Sequence, residues 1–237
     1  DVAEITLRTV RICDADGKQV ARPMKVSTFN TDAALKGDYA HYMLKEIHEQ
    51  PQSVADTLEG RIAGGKILTQ IFGVDAEQLL HATEAVHIIA CGTSYHAGLV
   101  ARYWIEQLAG VPCTAEIASE YRYRDPVVKA GTLFLTISQS GETADTLAAL
   151  KLAKQRAYLT QMAICNVPES SIVREAGLVL MTRAGPEIGV ASTKAFTTQL
   201  VALALFSLEL ARIKGLDAER YADGVRQLEH LPVLIGE

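Results

Sequence analysis

The most distinctive chemistry in this chain lies in six consecutive residues, Ser138–Thr143, with the sequence SQSGET. These residues hold three hydroxyl groups and one glycine, and they separate an apolar run, Leu133–Ile137, from a helical pattern that continues to about Arg156. The first N–H groups of a helix lack intrahelical partners, and the helix dipole is positive at that end. A strand, a hydroxyl-rich turn and a helix start in this order indicate an anion site that suits a phosphate monoester.

The absence of certain residues from this turn limits the class of ligand that it could bind. It has no Lys or Arg, so it does not match the GxxxxGK[ST] loop of nucleoside triphosphatases, and it has no GxGxxG dinucleotide fingerprint. A simpler alternative is that the hydroxyls only cap the helix, because Ser and Thr commonly do so. Taken alone, the turn supports capping and ligand binding about equally, and it points to a phosphosugar at most.

The region around this turn alternates between predicted strands and helices. Such alternation predicts an α/β fold with a parallel sheet covered on both faces, and five strands favour the doubly wound, flavodoxin-like order 2-1-3-4-5. The predicted strands are Val86–Ala90, Cys113–Ile117, Leu133–Ile137, Met162–Asn166 and Leu178–Met181.

The predicted strand order places a second hydroxyl-bearing turn beside the first. In this order the first and third strands are neighbours, and ligands of such sheets bind beyond their carboxyl ends, where the strand order reverses. The turn Cys91–Ser94 follows the first strand, and Ser138–Thr143 follows the third. Two hydroxyl-bearing turns at one sheet edge favour ligand binding over capping alone.

A third candidate segment, GPEIGVASTK at positions 185–194, follows the fifth strand. Its glycines permit a close backbone approach, and Ser192 is the predicted N-cap of a long apolar helix from Thr193 to about Lys214. The Val190 carbonyl and the Ser192 hydroxyl could contact sugar hydroxyls. Glu187 and Lys194 could serve as acid or base, but exposed surface charge is the more common role for such residues.

The N-terminal third of the chain shows weaker patterns. Residues 1–24 predict a short hairpin that turns at Asp16-Gly17. Three helices are expected next: one that Pro51 ends, one capped by Ser53 and running to Ile62, and one capped by Asp75 and running to about His81. The first helix, Tyr39–Gln50, includes His41 and His48, for which a solvated helix face is favoured over catalysis.

Composition limits the class of protein. The chain has 237 residues, 49% hydrophobic and 22% charged, with a formal charge of −5, so nucleic acid is not an expected partner. The longest apolar run, Leu200–Phe206, is too short to cross a bilayer, and no signal peptide is apparent.

The four cysteines form no CxxC pair, which favours reduced thiols in the cytoplasm, and neither a metal nor a cofactor is expected. The chain begins at Asp1 without a methionine, so a processed form or a fragment is expected.

Several motifs together resemble a known family. IIACGTSY, LTISQSGETADTL, AICNVPESSIVRE and EIGVASTKAFTTQL, with HYMLKEIHEQP upstream, resemble the first SIS (sugar isomerase) domain of the glucosamine-6-phosphate synthase, or glutamine:fructose-6-phosphate amidotransferase, family. The likeness runs from about Gly37 to near residue 230. It implies binding of fructose 6-phosphate or glucosamine 6-phosphate. The implied phosphate contacts are Ser94, Ser138, Gln139, Ser140 and Thr143, and the implied sugar contacts are Thr93, Val190 and Ser192.

The resemblance also implies that much of the family's machinery lies outside this chain. Family members carry an N-terminal glutaminase domain and a second SIS domain, which with the C-terminal tail holds their acid/base and Schiff-base groups. No catalytic residue is therefore expected here, and the chain should bind the sugar phosphate without turning it over. The expected organisation is a linker at residues 1–36, a helical entrance segment at 37–84 and the SIS domain at 85–237. Gly177 departs from the family's common aspartate at a position before the fifth strand.

Two other functions remain open from the sequence. One is a regulatory SIS module that senses a sugar phosphate, which would need the SQSGET turn but not the EIGVASTKAF segment. The other is a dimer platform built on the long apolar helix, because a helix that is apolar around most of its circumference is typically buried on several sides. A homodimer is expected in either case.

Overall fold

The structure is a computed structural model that describes residues 1–23 and 35–237. The chain forms two compact units, Asp1–Ala33 and Ala34–Glu237. The predicted linker, residues 1–36, includes residues 24–34, which lie outside the described residues.

The first unit contains an antiparallel hairpin of β1 (Val2–Ile5) and β2 (Val10–Cys13). The Thr6 hydroxyl accepts a hydrogen bond from the N–H of Thr9 at 3.0 Å, so the chain reverses there. The predicted turn at Asp16-Gly17 is present, with the Val20 N–H donating to the Ile12 carbonyl at 2.9 Å, but the longer hairpin forms before it because the run ITLRTVRI pairs with itself. A smaller turn follows there, closed by a bridge between Cys13 and Gln19.

The core of the second unit is a five-stranded parallel sheet in the order β6-β5-β7-β8-β9. Since these are strands two, one, three, four and five of the sheet in chain order, the predicted doubly wound topology is confirmed. The strands are β5 (Ala85–Ala90), β6 (Cys113–Ile117), β7 (Thr132–Ser138), β8 (Thr160–Cys165) and β9 (Leu178–Met181).

Helices cover both faces of this sheet because each central strand is apolar on both sides. Ile88 belongs to one core cluster and Ile89, its neighbour on β5, belongs to the other. On the first face lie α4 (Gly92–Trp104, continued by a π-helical turn, Ile105–Ala109) and α8 (Lys194–Ile213). On the second lie α5 (Ala118–Tyr121), α6 (Ala144–Ala153) and α7 (Ser171–Glu175).

The segment before the sheet is helical, with different boundaries from those predicted. Pro51 lies in the first turn of a helix rather than after the last turn of one, since a proline needs no N–H partner there. Ser53 is consequently inside that helix, buried, and not its cap. The elements are α1 (Tyr42–His48), α2 (Gln50–Leu58), β3 (Ile62–Ala63), β4 (Lys66–Ile67), a 3₁₀ turn (Thr69–Phe72) and α3 (Ala76–Ala82).

Two long helices complete the unit. By length and composition α8 could cross a membrane, but 67% of its most apolar window is buried inside the fold, which is the environment of a core helix. The last helix, α9 (Ala218–Gly236), begins at Asp217, whose side chain accepts from the N–H groups of Glu219 and Arg220. It packs against α2 and α8.

Candidate functional site

The two hydroxyl-bearing turns lie side by side at the carboxyl edge of the sheet. Strands β5 and β7 are parallel neighbours, with Ala90 opposite Ile137, so both turns leave the sheet at the same level. The Thr146 hydroxyl, in the first turns of α6, lies 3.9 Å from the Cys91 sulfur and links the two connections. The structure therefore brings the predicted residues after β5 and those after β7 together.

The SQSGET turn is organised around the hydroxyl of Ser138. This side chain, at the end of β7, is only 3% exposed. Its Oγ accepts a hydrogen bond from the Gly141 N–H at 3.0 Å and lies 3.3 Å from Oγ1 of Thr143. The Ser140 hydroxyl accepts from the Glu142 N–H at 3.2 Å. The turn is thus held by its own hydrogen bonds, with its hydroxyl groups gathered at the start of α6.

Gly141 is the one residue in this turn that cannot carry a side chain. Its φ is +68°, a left-handed conformation that favours glycine. A Cβ at this position would lie 1.9 Å from Oγ of Ser170 and 2.8 Å from the sulfur of Cys165. The turn is therefore packed directly against the connection between β8 and α7.

The starts of α4 and α6 are not capped by the side chains of their N-cap residues. The N-cap residue of α4 is Cys91 and that of α6 is Thr143, and neither makes a side-chain capping hydrogen bond. The simpler alternative, in which the turn's hydroxyls serve only as caps, is therefore wrong for Thr143. The first backbone N–H groups of two adjacent helices therefore remain able to donate hydrogen bonds, and the helix dipoles favour an anion there.

Glu142 of the turn and Asp145 in the first turn of α6 both have partners outside the turn. Oε1 of Glu142 accepts from the Ser171 N–H at 2.7 Å, and this hydrogen bond lowers the pKa of Glu142 below its ordinary value. Asp145 forms a 2.6 Å ion pair with Arg122. Because these pairings orient and compensate both carboxylates, they reduce the repulsion that an incoming phosphate would meet.

Of the predicted residues after β5, Thr93 is exposed and Ser94 is 8% exposed, both within the first turn of α4. In the SQSGET turn, Gln139 and Ser140 are half-buried, and the Gln139 carbonyl accepts from the Asn166 N–H at 3.3 Å. Within residues 1–23 and 35–237, no group of three or more His, Cys, Asp or Glu side chains is placed to hold a metal ion.

Asn166 connects this turn with the loop that follows β9, a role the sequence reasoning missed. Its Oδ1 accepts from the Ala184 N–H at 2.7 Å, and its Nδ2 donates to the Gly185 carbonyl at 2.8 Å. An amide that directly follows a buried strand at the carboxyl edge of the sheet was the signal for this role, because such a side chain can both donate to and accept from the backbone of a loop.

The loop between β9 and α8 carries the predicted sugar contacts. The Val190 side chain is fully exposed, and the Ser192 hydroxyl donates to Oε2 of Glu187 at 3.1 Å. Oε1 of Glu187 accepts from the N–H groups of Thr193 and Ala195, both at 2.9 Å. The predicted N-cap role of Ser192 is therefore wrong: Thr193 is the N-cap residue, and the carboxylate of Glu187 satisfies the helix start because it can accept several N–H groups at once.

Lys194 is buried, so the expectation of an exposed surface charge is wrong for this residue. It is 3% exposed, and its Nζ lies 2.7 Å from Oε2 of Glu49. The segment that contains α1 and α2 covers the start of α8, which removes Lys194 from solvent and supplies its partner. His41 and His48 of the same segment are exposed, as predicted.

Comparisons with known proteins agree with this architecture. The family model of the SIS domain matches residues 79–208. The chain is 56% identical over its whole length to a protein of Pseudomonas syringae pv. tomato named glutamine--fructose-6-phosphate aminotransferase [isomerizing], and 55% identical over 98% of its length to the protein of that name in Escherichia coli K12. It covers 39% and 38% of those two relatives, respectively, and so spans well under half of their length.

A solved structure gives the same result. The C-terminal domain of glucosamine-fructose-6-phosphate aminotransferase from Francisella tularensis superimposes with a TM-score of 0.82 and is 53% identical, over 84% of this chain and 56% of that one. The SIS model covers more than half of the present chain, including the sheet, both hydroxyl-bearing turns and the loop before α8. On these grounds the chain belongs to the SIS domain family.

Proposed function

We propose that this chain binds fructose 6-phosphate and glucosamine 6-phosphate, as the first SIS part of an isomerising glutamine:fructose-6-phosphate aminotransferase. The observation that carries the proposal is the pair of uncapped helix starts, α4 and α6, beside the hydroxyls at one sheet edge. In this proposal the phosphate is held by Ser94, Ser138, Gln139, Ser140 and Thr143, and the sugar by Thr93, Val190 and Ser192.

The phosphate would be bound without a basic side chain from the turn. Backbone N–H groups at two helix N-termini donate to its oxygens, and the hydroxyls of Ser138 and Thr143 donate as well. A hydrogen bond to a charged group contributes about 1.5–3 kcal/mol, so three or four of them suffice to anchor the ligand. The same arrangement contributes little to the affinity for a neutral sugar, since the donors and dipoles favour negative charge.

The full reaction is proposed for the longer protein, of which this chain supplies one part. That protein would convert fructose 6-phosphate to glucosamine 6-phosphate with glutamine-derived ammonia. Its glutaminase domain and second SIS domain would supply the ammonia and the acid/base groups, so the chain alone would bind without turnover.

We further propose that the chain is organised as a linker at residues 1–36, an entrance segment at 37–84 and the SIS domain at 85–237. We also propose that it forms a homodimer and lies in the cytoplasm, a location that the four free thiols fit.

Calorimetric titration tests this proposal. The chain should bind fructose 6-phosphate and glucosamine 6-phosphate, and fructose without the phosphate should bind far more weakly. The double variant Ser138→Ala/Thr143→Ala should weaken binding by well over tenfold, since it removes two donors to a charged group. The matched control is Ser207→Ala, a buried serine within α8 whose hydroxyl donates to the Leu203 carbonyl. Unchanged affinity in the double variant would remove the phosphate assignment.

A further inference from the structure

Helix α1 has an inverted distribution of polarity. Its one buried residue is a carboxylate, Glu46, which is 2% exposed. Its aliphatic residues face outward instead: Met43 and Leu44 are each 41% exposed and Ile47 is 43% exposed. Carboxylates are among the side chains least often buried, because an unpaired buried charge is strongly unfavourable. The burial of Glu46 therefore requires specific partners and a structural or functional reason.

The partners of Glu46 are in the loop that precedes α8. Its Oε1 accepts hydrogen bonds from two consecutive backbone N–H groups, those of Ile188 at 2.6 Å and Gly189 at 2.9 Å. Val190 is the next residue in the chain, and Ser192 lies two residues beyond it. One carboxylate oxygen thus fixes the backbone directly before the two proposed sugar contacts of this loop.

The second oxygen of Glu46 packs against the same loop. Oε2 is buried and has no hydrogen-bond partner among residues 1–23 and 35–237. It lies 2.5 Å from the position that a Cβ on Gly189 would occupy, so the carboxylate rests on the Cα of that glycine. Glu46 and Gly189 therefore form a matched contact, in which a side chain on the loop would displace the carboxylate or the loop itself.

The junction of α1 and α2 holds the other side of this loop as well. Glu49 pairs with Lys194, and the Thr197 hydroxyl donates to Oε1 of Gln50 at 2.6 Å. The start of α8 is thereby fixed to the same short segment that carries Glu46. With both flanks held, the four residues from Val190 to Thr193 have few alternative positions.

We propose that Glu46 is a positioning residue that places the Val190 carbonyl and the Ser192 hydroxyl for the sugar part of a sugar phosphate. It touches neither the ligand nor the reacting atoms, and it acts through the backbone of Ile188 and Gly189. The inference rests on the proposed function. The SQSGET turn, which would hold the phosphate, is organised by Ser138 and not by Glu46. The loss of Glu46 should consequently affect recognition of the sugar and spare recognition of the phosphate.

The test compares two ligands that share a phosphate monoester. Calorimetry would measure the affinity for fructose 6-phosphate and for glycerol 3-phosphate, which carries no sugar ring. The chains are the wild type, Glu46→Gln, Gly189→Ala, and the control Glu229→Gln, which removes the same charge from an exposed position on α9. Circular dichroism would check that each variant retains its fold. Gly189→Ala breaks the contact from the opposite side, so the test does not depend on the folding of one variant.

We expect Glu46→Gln and Gly189→Ala to weaken fructose 6-phosphate binding by about tenfold, and to leave glycerol 3-phosphate binding within about twofold of the wild type. Glu229→Gln should leave both affinities unchanged. Equal losses for the two ligands, or wild-type affinity for fructose 6-phosphate in both variants, would overturn the inference. A wild-type chain that binds glycerol 3-phosphate no less tightly than fructose 6-phosphate would also overturn it. A wild-type chain that binds neither ligand would instead remove the proposed function and the inference with it.

Discussion

Two polar regions lie at the two ends of strand β5. They differ in how many of their donors and acceptors remain unpaired within the fold. Near its amino end, His87 bonds to the Tyr158 hydroxyl at 2.9 Å and to Glu116 at 3.2 Å, while Tyr121 donates to Tyr158 at 3.2 Å and Arg124 binds Glu116 through two nitrogens. We call these five residues the His87 cluster. At its carboxyl end, two helices begin without side-chain caps beside several hydroxyls.

The pKa values in the His87 cluster fit a structural role. Burial lowers the pKa of His87 below its ordinary 6.5, and the neighbouring Glu116 offsets this only in part. The hydrogen bond from Arg124 lowers the pKa of Glu116, and burial raises the pKa of Tyr158. The cluster thus holds a neutral histidine among partners that satisfy it. Polar groups are dense in both regions, and the proposed site is assigned to the turns because donors there are left unused by the fold.

The largest expected effect is on stability and comes from replacement of Gly141 in the SQSGET turn. Gly141→Ala places a methyl group 1.9 Å from the Ser170 hydroxyl in addition to forcing a left-handed alanine. We expect a loss of about 2–5 kcal/mol in the free energy of unfolding, the sum of backbone strain and overpacking. Urea denaturation measures this loss.

Gly65→Ala is the matched control for that experiment. Gly65 has a similar φ of +70°, but no atom in the described part of the chain lies within 4 Å of a Cβ there. Only the backbone strain applies, so the expected loss is about 1–2 kcal/mol. If both variants lose the same amount, the SQSGET turn is not packed against the β8–α7 connection as described.

The pH dependence of stability sharpens the assignment of the His87 cluster. Because the pKa of His87 is lower in the folded chain than in the unfolded one, the unfolded state binds the proton first as the pH falls below about 6.5. Stability should therefore decrease from pH 6.5 towards the lower folded pKa. Urea denaturation between pH 7.5 and 5 would show this slope.

His87→Phe should flatten that slope and leave the affinity for fructose 6-phosphate unchanged, because the cluster lies at the opposite end of β5 from the turns. His230→Phe, at an exposed position on α9, should retain the wild-type slope. A steep slope that persists in His87→Phe would show that another group carries the acid sensitivity.

Thiol reactivity gives the smallest effect of the three. Burial and the nearby Glu106 raise the pKa of Cys113 to about 12, and burial raises the pKa of Cys165. With an alkylating reagent at pH 8, half-buried Cys13 and Cys91 should react well before these two, as peptide mapping by mass spectrometry would show.

Bound sugar phosphate should add a second difference to that experiment. Cys91 is the N-cap residue of α4 at the proposed site, so fructose 6-phosphate should slow its alkylation and leave Cys13 unaffected. Equal protection of both thiols, or of neither, would weaken the case for a ligand at this edge.

The sheet and the position of the hydroxyl-bearing turns at its carboxyl edge could be predicted from the sequence because they depend on local patterns. Strands Cys113–Ile117 and Leu178–Met181 have their predicted bounds, and the strand order follows from the alternation of strands and helices. The SQSGET turn was equally visible, since a strand, a glycine and three hydroxyls are adjacent in the chain.

The contacts that fix the loop before α8 could not be predicted in this way. Glu46 reaches backbone 142 residues away, and Lys194 is buried by a segment 145 residues from it in sequence. No local periodicity encodes such pairs, and a charged residue on a short helix is ordinarily taken as solvated. The capping of α8 by Glu187 was missed for a related reason, because the adjacent Ser192 is the commoner cap.

Backbone amide chemical shifts during titration with fructose 6-phosphate test the central claim most directly, because they locate the ligand residue by residue. A cavity of about 390 Å³ beside the His87 cluster, lined in part by Arg124 and Lys129, offers the ligand an alternative position. We expect the largest shifts on the amides of residues 92–94 and 139–146, with little change at positions 87, 116 and 124. Shifts concentrated at those three positions and absent from the two turns would contradict it.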